Sequence, residues 1–243
     1  MKVSTGVPTL DTILDGGFPA QRAILVTGGP GTGKSTLAMQ FLQEGLNQGE
    51  RCLYVSTEQT AAEIRDSFVS FEFDLDHEQL TLATIHASEG KTLEGGQGQL
   101  VIETLGGPER TDGGADTIDF AANSGFSAPF SWPYIRRFLG QHAPAERVVF
   151  DSISGLAVMT DDEQRFRRTV LDLVRLFSDD FGATAVFTAE EDLRSDPDND
   201  LVSRNMLQFN THGVINLWRE RIDGDYHRLL QVKKMRGVNH DTQ

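Results

Sequence analysis

The octapeptide Gly28-Gly29-Pro30-Gly31-Thr32-Gly33-Lys34-Ser35 restricts what this chain can become more than any other segment. It matches the phosphate-loop pattern G-x-x-x-x-G-K-[ST] in full. Its glycines let the backbone curl with successive N–H groups turned inward, and the positive end of a following helix adds to the same socket, so the loop is built to hold phosphate oxygens. Lys34 supplies a point charge for the β- and γ-phosphates, and the Ser35 hydroxyl is placed to ligate Mg²⁺. The flanks agree with this reading. Ala23-Ile24-Leu25-Val26-Thr27 is an apolar run that stops at glycines and reads as a buried strand. Ser35 to Asn47 carries Leu37, Met39, Phe41, Leu42 and Leu46 at helical spacing. The ligands implied are ATP and Mg²⁺, and the binding set read here is Gly28, Gly29, Pro30, Gly31, Thr32, Gly33, Lys34, Ser35 and Thr36.

Strands and helices alternate along the rest of the chain. The residues 51–56 read as a second buried strand, and 60–71 as a helix opened by a capping box at Thr60 and Glu63. A strand is expected over 80–85, a helix over 132–141, and a strand over 147–151. The stretch 162–178 is amphipathic, with Phe166, Val170, Leu173, Val174 and Phe177 on one side. Strands over 183–188, 214–218 and 229–233 follow, the last two separated by a turn at Asp223-Gly224-Asp225. This order predicts an α/β fold with a mostly parallel, twisted sheet and helices on both faces. The glycine-rich, acidic region 88–129 holds one apolar island at Leu100-Val101-Ile102 and reads as a surface insertion with a short strand of its own. One domain over 1–243 is expected, interrupted by that insertion.

A phosphate loop needs a second carboxylate for its metal. Val148-Val149-Phe150-Asp151 is an apolar strand ending in one, so Asp151 is expected to hold Mg²⁺ with Ser35, through a water. The histidines His77, His86, His142, His212 and His227 show no ligand spacing, so no structural metal is expected.

The net charge is −14, with five lysines in 243 residues. Such a surface repels polyanions and argues against a nucleic-acid partner. It resembles the proteins of salt-loving organisms, where salt screens self-repulsion, and so points to a halophilic archaeon as source. The single cysteine, Cys52, lies in an apolar run and reads as core. No run approaches the roughly 18 apolar residues of a membrane span, and the first residues lack the apolar stretch of a secretory signal, so a cytoplasmic protein is expected.

Ser4-Thr5-Gly6-Val7-Pro8, Leu10-Asp11, Leu14-Asp15-Gly16-Gly17-Phe18-Pro19 and the phosphate loop together resemble the opening of a KaiC-type ATPase of the RecA superfamily. The resemblance runs from residue 4 nearly to the end, and the chain has the length of one such domain where the clock ATPases of the family carry two. It implies a RecA-like core. It also implies that Glu58, 24 residues after Lys34, polarises the attacking water. Family members have a Glu-Glu pair there; this chain has Glu58-Gln59, which implies slow turnover. Ser70 matches a nucleotide-contacting serine. Lys233-Lys234-Met235-Arg236-Gly237-Val238-Asn239-His240 resembles the family's K-x-R-G-x-x-H segment, which reaches the ATP of a neighbouring subunit. By that resemblance Lys234 and Arg236 meet the γ-phosphate in trans, with Met235, Val238 and His240 nearby. Thr188-Ala189-Glu190 falls where the family has a phosphate-sensing segment. The clock ATPases autophosphorylate on a Ser-Thr pair where this chain has Gln208-Phe209, which argues against an autokinase.

The catalytic set is therefore Glu58, Lys34 and Arg236. The function expected is a Mg²⁺-dependent ATPase acting as a regulatory or signalling switch, assembled as a homo-oligomer (a hexameric ring) that answers to an unidentified protein partner. Two alternatives stand beside it: a RecA-like DNA-associated ATPase, and a nucleotide-sensing regulator with little or no turnover.

Overall fold

The computed structural model describes residues 1–88, 99–106, 132–159, 163–190, 207–208 and 210–238. Ten strands occur among them: β1 (Lys2–Val3), β2 (Phe18–Pro19), β3 (Ala23–Gly28), β4 (Cys52–Ser56), β5 (Leu80–Ser88), β6 (Gln99–Gly106), β7 (Arg147–Asp151), β8 (Thr184–Glu190), β9 (Gly213–Ile222) and β10 (Asp225–Met235). The helices are α1 (Pro8–Ile13), α2 (Lys34–Asn47), α3 (Ala61–Phe68), α4 (Trp132–Gly140), α5 (Ile153–Met159) and α6 (Glu163–Arg175). The main sheet has the order β10-β9-β3-β8-β7-β4-β5-β6. Its six inner strands are parallel, and β10 and β6 are antiparallel edges.

Why the inner strands are unbroken apolar runs follows from this layering. A parallel strand covered on both faces has no wet side, so it shows no alternation. Every residue of β3, β4 and β7 is buried. Side-chain parity divides them between two cores. Ile24, Val26, Tyr54 and Val149 meet α1, α2 and α3. Ala23, Leu25, Leu53, Val55, Val148 and Phe150 meet α4, α5 and α6.

The expected elements are present, several with longer bounds. The Thr60 hydroxyl accepts from the Glu63 N–H and the Glu63 carboxylate accepts from the Thr60 N–H, so the capping box opens α3 as read. The island at Leu100-Val101-Ile102 lies in β6, which joins the main sheet beside β5. The amphipathic stretch is α6, but its last turn, Leu176–Asp180, is wound as a π-helix that keeps Leu176 and Phe177 in the core. Asp223 and Gly224 both have positive φ (52° and 99°), a type I′ turn joining β9 to β10. Four elements were not anticipated from the sequence. α1 has only six residues, α5 is apolar with no polar stripe, and β1–β2 is a two-residue pairing.

One buried cation ties the layers together. Arg147 opens β7 with no solvent exposure. Its guanidinium pairs with Glu50, donates to the carbonyls of Ser4 (2.7 Å) and Phe41 (2.8 Å), and lies 4.8 Å from the Phe41 ring centroid. Ser4 is held in turn by Asp11, whose carboxylate accepts from the Ser4 hydroxyl (2.7 Å) and the Thr5 N–H (2.8 Å). The conspicuous opening residues are thus a clasp fastening the N-terminal segment to α2 and β7.

Cys52 is buried, and burial pushes its thiol up to about 12, against the pull of the Arg147 charge. The folded protein is expected to leave Cys52 unlabelled by a disulfide reagent at pH 8 and to react with one equivalent once unfolded, read by absorbance. Prompt labelling of the native chain would contradict the closed packing of β4 on α2.

Candidate nucleotide site

The phosphate loop leaves β3 at the carboxyl edge of the sheet, where open α/β sheets bind ligands. At Gly28 a Cβ would lie 2.3 Å from the Leu217 carbonyl oxygen and 2.8 Å from the Thr32 hydroxyl, so only glycine allows β9 to pass this close. The Thr32 hydroxyl donates to the Gly29 carbonyl (2.8 Å). Lys34 is buried, and its ammonium donates to the carbonyls of Gly28 (2.9 Å) and Gly29 (3.0 Å). The cation is therefore held across the loop mouth. Helix α2 starts at Lys34 with Gly33 as N-cap and no side chain capping it, so its first N–H groups are left to a ligand or to water. Ser35 and Thr36 sit half-buried in that first turn.

Parity places the acidic partner. Val149 faces α2, so Asp151 faces the same way from the end of β7. The same count puts Thr188 of β8 and Ser56 of β4 on that face. Asp151 is 8% exposed; its Oδ2 accepts from the Tyr54 hydroxyl (2.5 Å) and its Oδ1 from the Thr188 hydroxyl. Burial, and then the neighbouring Asp151 charge, push the Tyr54 phenol well above its usual range, so it remains a donor. The carboxylate is oriented from both sides and keeps lone pairs on each oxygen for a further partner.

Glu58 follows β4 and is exposed, and its Oε1 accepts from the Ser152 hydroxyl. Beyond the last β4–β7 pair, Ser56 with Asp151, the chains stay stapled. The Thr57 N–H donates to the Asp151 carbonyl (3.0 Å), and the Thr57 hydroxyl donates to the Ser152 carbonyl (2.7 Å) and accepts from the Ser152 N–H (3.2 Å). Glu58 and Asp151 are thus brought to one place by adjacent strands. From β3 to β4 is three strand spacings, about 14 Å, with β8 and β7 between.

The remaining sequence-derived residues lie elsewhere. Ser70 is exposed beyond α3, one eight-residue helix, about 12 Å, from the Glu58 end of β4. In the C-terminal segment Met235 pairs with Gly213, and Gly213 pairs with Ile24 near the start of β3. That is the edge opposite the chain's own phosphate loop. There the Lys234 ammonium donates to the carbonyls of Gln208 (2.6 Å) and Thr211 (2.7 Å). Burial and the Arg236 charge lower its pKa. Arg236 is exposed, Met235 is buried in its own core, and Val238 packs half-buried against the same core. The Met235 side chain is thus engaged in the packing of its own chain. Beside them, His212 accepts the Ala23 N–H at Nδ1 (3.2 Å), and burial with Arg22, Arg236 and Lys234 lowers its pKa. His240 lies outside the described residues, as do Glu191 and Phe209. Thr188, read as a phosphate sensor, spends its hydroxyl on Asp151, while the Glu190 N–H donates to the Ser154 hydroxyl (2.9 Å).

Tyr54, Thr57 and Ser152 escaped the sequence reading. Tyr54 sits in an apolar run where it reads as core, and only the β4–β7 pairing shows its hydroxyl to meet Asp151.

Comparison with known proteins bears on this geometry. A family model described as "ATPase: KaiC" matches residues 3–106 and 135–243. The unmatched stretch, 107–134, is narrower than the glycine-rich 88–129 and leaves β6 inside the matched part. Curated relatives include UPF0273 proteins of Pyrococcus furiosus (29% identical, 100% of this chain and 88% of that protein) and Methanocaldococcus jannaschii (29%, 100% and 90%). Among solved structures, a KaiC-like protein of Pyrococcus horikoshii superposes with a TM-score of 0.71 at 23% identity, covering 100% of this chain and 92% of that one, a likeness of fold.

Proposed function

Because the chain belongs to the KaiC ATPase family, we propose that it binds ATP in the Gly28–Ser35 loop and hydrolyses it in a site completed by another copy of itself. The observation that carries this reading is that the carboxyl edge of the sheet holds a buried loop lysine, an Asp151 oriented by two hydroxyls and a Glu58 stapled to the residue that follows β7. Lys34 and the first N–H groups of α2 bind the phosphates. Glu58, held by Ser152, orients the attacking water and takes its proton. Ser35 and Asp151 offer hard oxygen donors suited to Mg²⁺, which binds through one or two protein oxygens plus substrate phosphates. Bound there, the ion would neutralise charge on the phosphates.

Assembly enters through Arg236. It stands at the edge opposite its own loop, so a γ-phosphate it meets belongs to a neighbour. Lys234 beside it donates to carbonyls of its own chain, and the exposed Arg236 is read as the principal trans residue. A ring of such sites, six in the favoured form, would act as a switch whose contacts with a protein partner change with hydrolysis.

The test is ATP turnover measured alongside light-scattering mass, with and without Mg²⁺. The wild type is expected to assemble with ATP and turn it over. Arg236→Ala is expected to lower turnover at least about a hundredfold while each chain still binds nucleotide. A strict monomer with full turnover would overturn the shared site, and ATP binding without turnover would make the protein a nucleotide-sensing regulator.

A further inference from the structure

The β9–β10 hairpin runs past the end of β3. The last β3–β9 pair is Gly28 with Leu217, and each hairpin strand continues for five more residues beyond it, about 17 Å. This projection has two unlike faces. The register pairs Arg219 with Arg228, and Arg221 with Tyr226, on the face continuous with core residues Leu217 and Leu230. Glu220 pairs with His227, and Ile222 with Asp225, on the other. All three arginines of the projection share the α2 face, and its strand carboxylates share the opposite one. Opposed like charges on neighbouring strands are destabilising. The arrangement is the more unusual in a chain of net charge −14.

Arg219 reaches the phosphate loop. A Cβ built on Gly31 would lie 4.0 Å from each of Cζ, Nη1 and Nη2 of Arg219. Equal distances mean that the guanidinium lies face-on against the loop, with its N–H edges directed along the loop surface. Gly31 has φ +68°, so the position suits glycine on backbone grounds as well. Neither the Arg219 nor the Arg228 side chain has a hydrogen-bond or ion-pair partner among the described residues. Carboxylates are abundant in this chain, and none of those described is used here.

We propose that Arg219 is a cis nucleotide-binding residue: its guanidinium contacts the polyphosphate of ATP held in the loop of the same subunit, and the bound anion relieves the Arg219–Arg228 repulsion. The inference rests on the phosphate-loop reading above and extends it. One subunit then carries two cationic contacts to the phosphates, Lys34 and Arg219, before any neighbour contributes. A planar fork suits this place because it packs flat on a glycine while donating from its edge.

The test is titration of Mg²⁺ATP and Mg²⁺ADP into the full chain by calorimetry, at concentrations where light scattering shows monomer and again where it shows assembly. Arg219→Gln is expected to weaken ATP binding at least about tenfold in both states, with a smaller loss for ADP and an unfolding midpoint no lower than that of the wild type, since the opposed Arg228 charge loses its like-charged neighbour. Arg219→Lys is expected to fall between the two, and Arg175→Gln, an exposed charge on α6, to bind as wild type. Wild-type ATP affinity in Arg219→Gln overturns the proposal, while the phosphate-loop reading stands. A loss confined to the assembled protein overturns the cis assignment. If the wild type itself binds neither nucleotide, the phosphate-loop reading falls and this inference with it.

Discussion

Glu58→Gln is expected to leave ATP binding at its wild-type level and to slow turnover at least about a hundredfold. The amide keeps an oxygen for the Ser152 hydroxyl, so the stapled ends of β4 and β7 need not shift. It lacks the charge and basicity needed to take a proton from water. Gln59 already stands where family members place a second glutamate, so no neighbouring carboxylate is available in sequence to substitute. Single-turnover hydrolysis, with nucleotide affinity measured on the same sample, separates the two effects. Turnover within a factor of about three of wild type would remove Glu58 from the mechanism and move the search to Asp151.

The largest effect on stability is expected from Arg147→Ala, a loss of about 3–5 kcal/mol. The substitution removes the donor to the Ser4 carbonyl and the second donor to the mid-helix Phe41 carbonyl, leaves Glu50 without its cation, and opens a cavity beside Phe41. Glu50 is 28% exposed at its side chain and regains some water, which moves the expected value toward the lower end. In thermal unfolding the midpoint should fall by roughly 10 °C. Arg147→Lys keeps the charge but reaches fewer acceptors, so it should recover only part of the loss. A midpoint unchanged by Arg147→Ala would mean that the N-terminal clasp is held by Asp11 and the Leu10–Leu14–Phe18 packing alone.

Glu58 and Arg147 differ in how much of their role a local stretch of sequence carries. Glu58 was visible as an acid at a fixed remove from Lys34, in a chain that resembles a known family. Arg147 read only as the polar first residue of a strand. Its importance comes from the meeting of β7 with α2 and the N-terminal segment, a juxtaposition across 143 residues of sequence to Ser4. Arg219 is a similar case. Alternation along β9 assigns it a face, but only the pairing of β9 with β3 brings that face to Gly31.

Local order in this protein was legible where a short run of residues carries its own physics. The phosphate loop is specified by glycine freedom and one lysine within eight residues. The buried strands are specified by continuous apolar runs, the α3 start by a reciprocal cap, and the hairpin turn by Asp223-Gly224. Tertiary structure alone decided which side chains meet the candidate residues Asp151 and Glu58. The hydroxyls of Tyr54 and Thr188 reach Asp151, and Ser152 reaches Glu58, through the strand order β8-β7-β4, which no local pattern encodes. The same order sends Lys234 and Arg236 to the edge away from their own loop. Strand order is set by how helices of given length cover both faces of a sheet, a property of the whole packed chain. Residues that depend on it become visible only when the sheet is assembled.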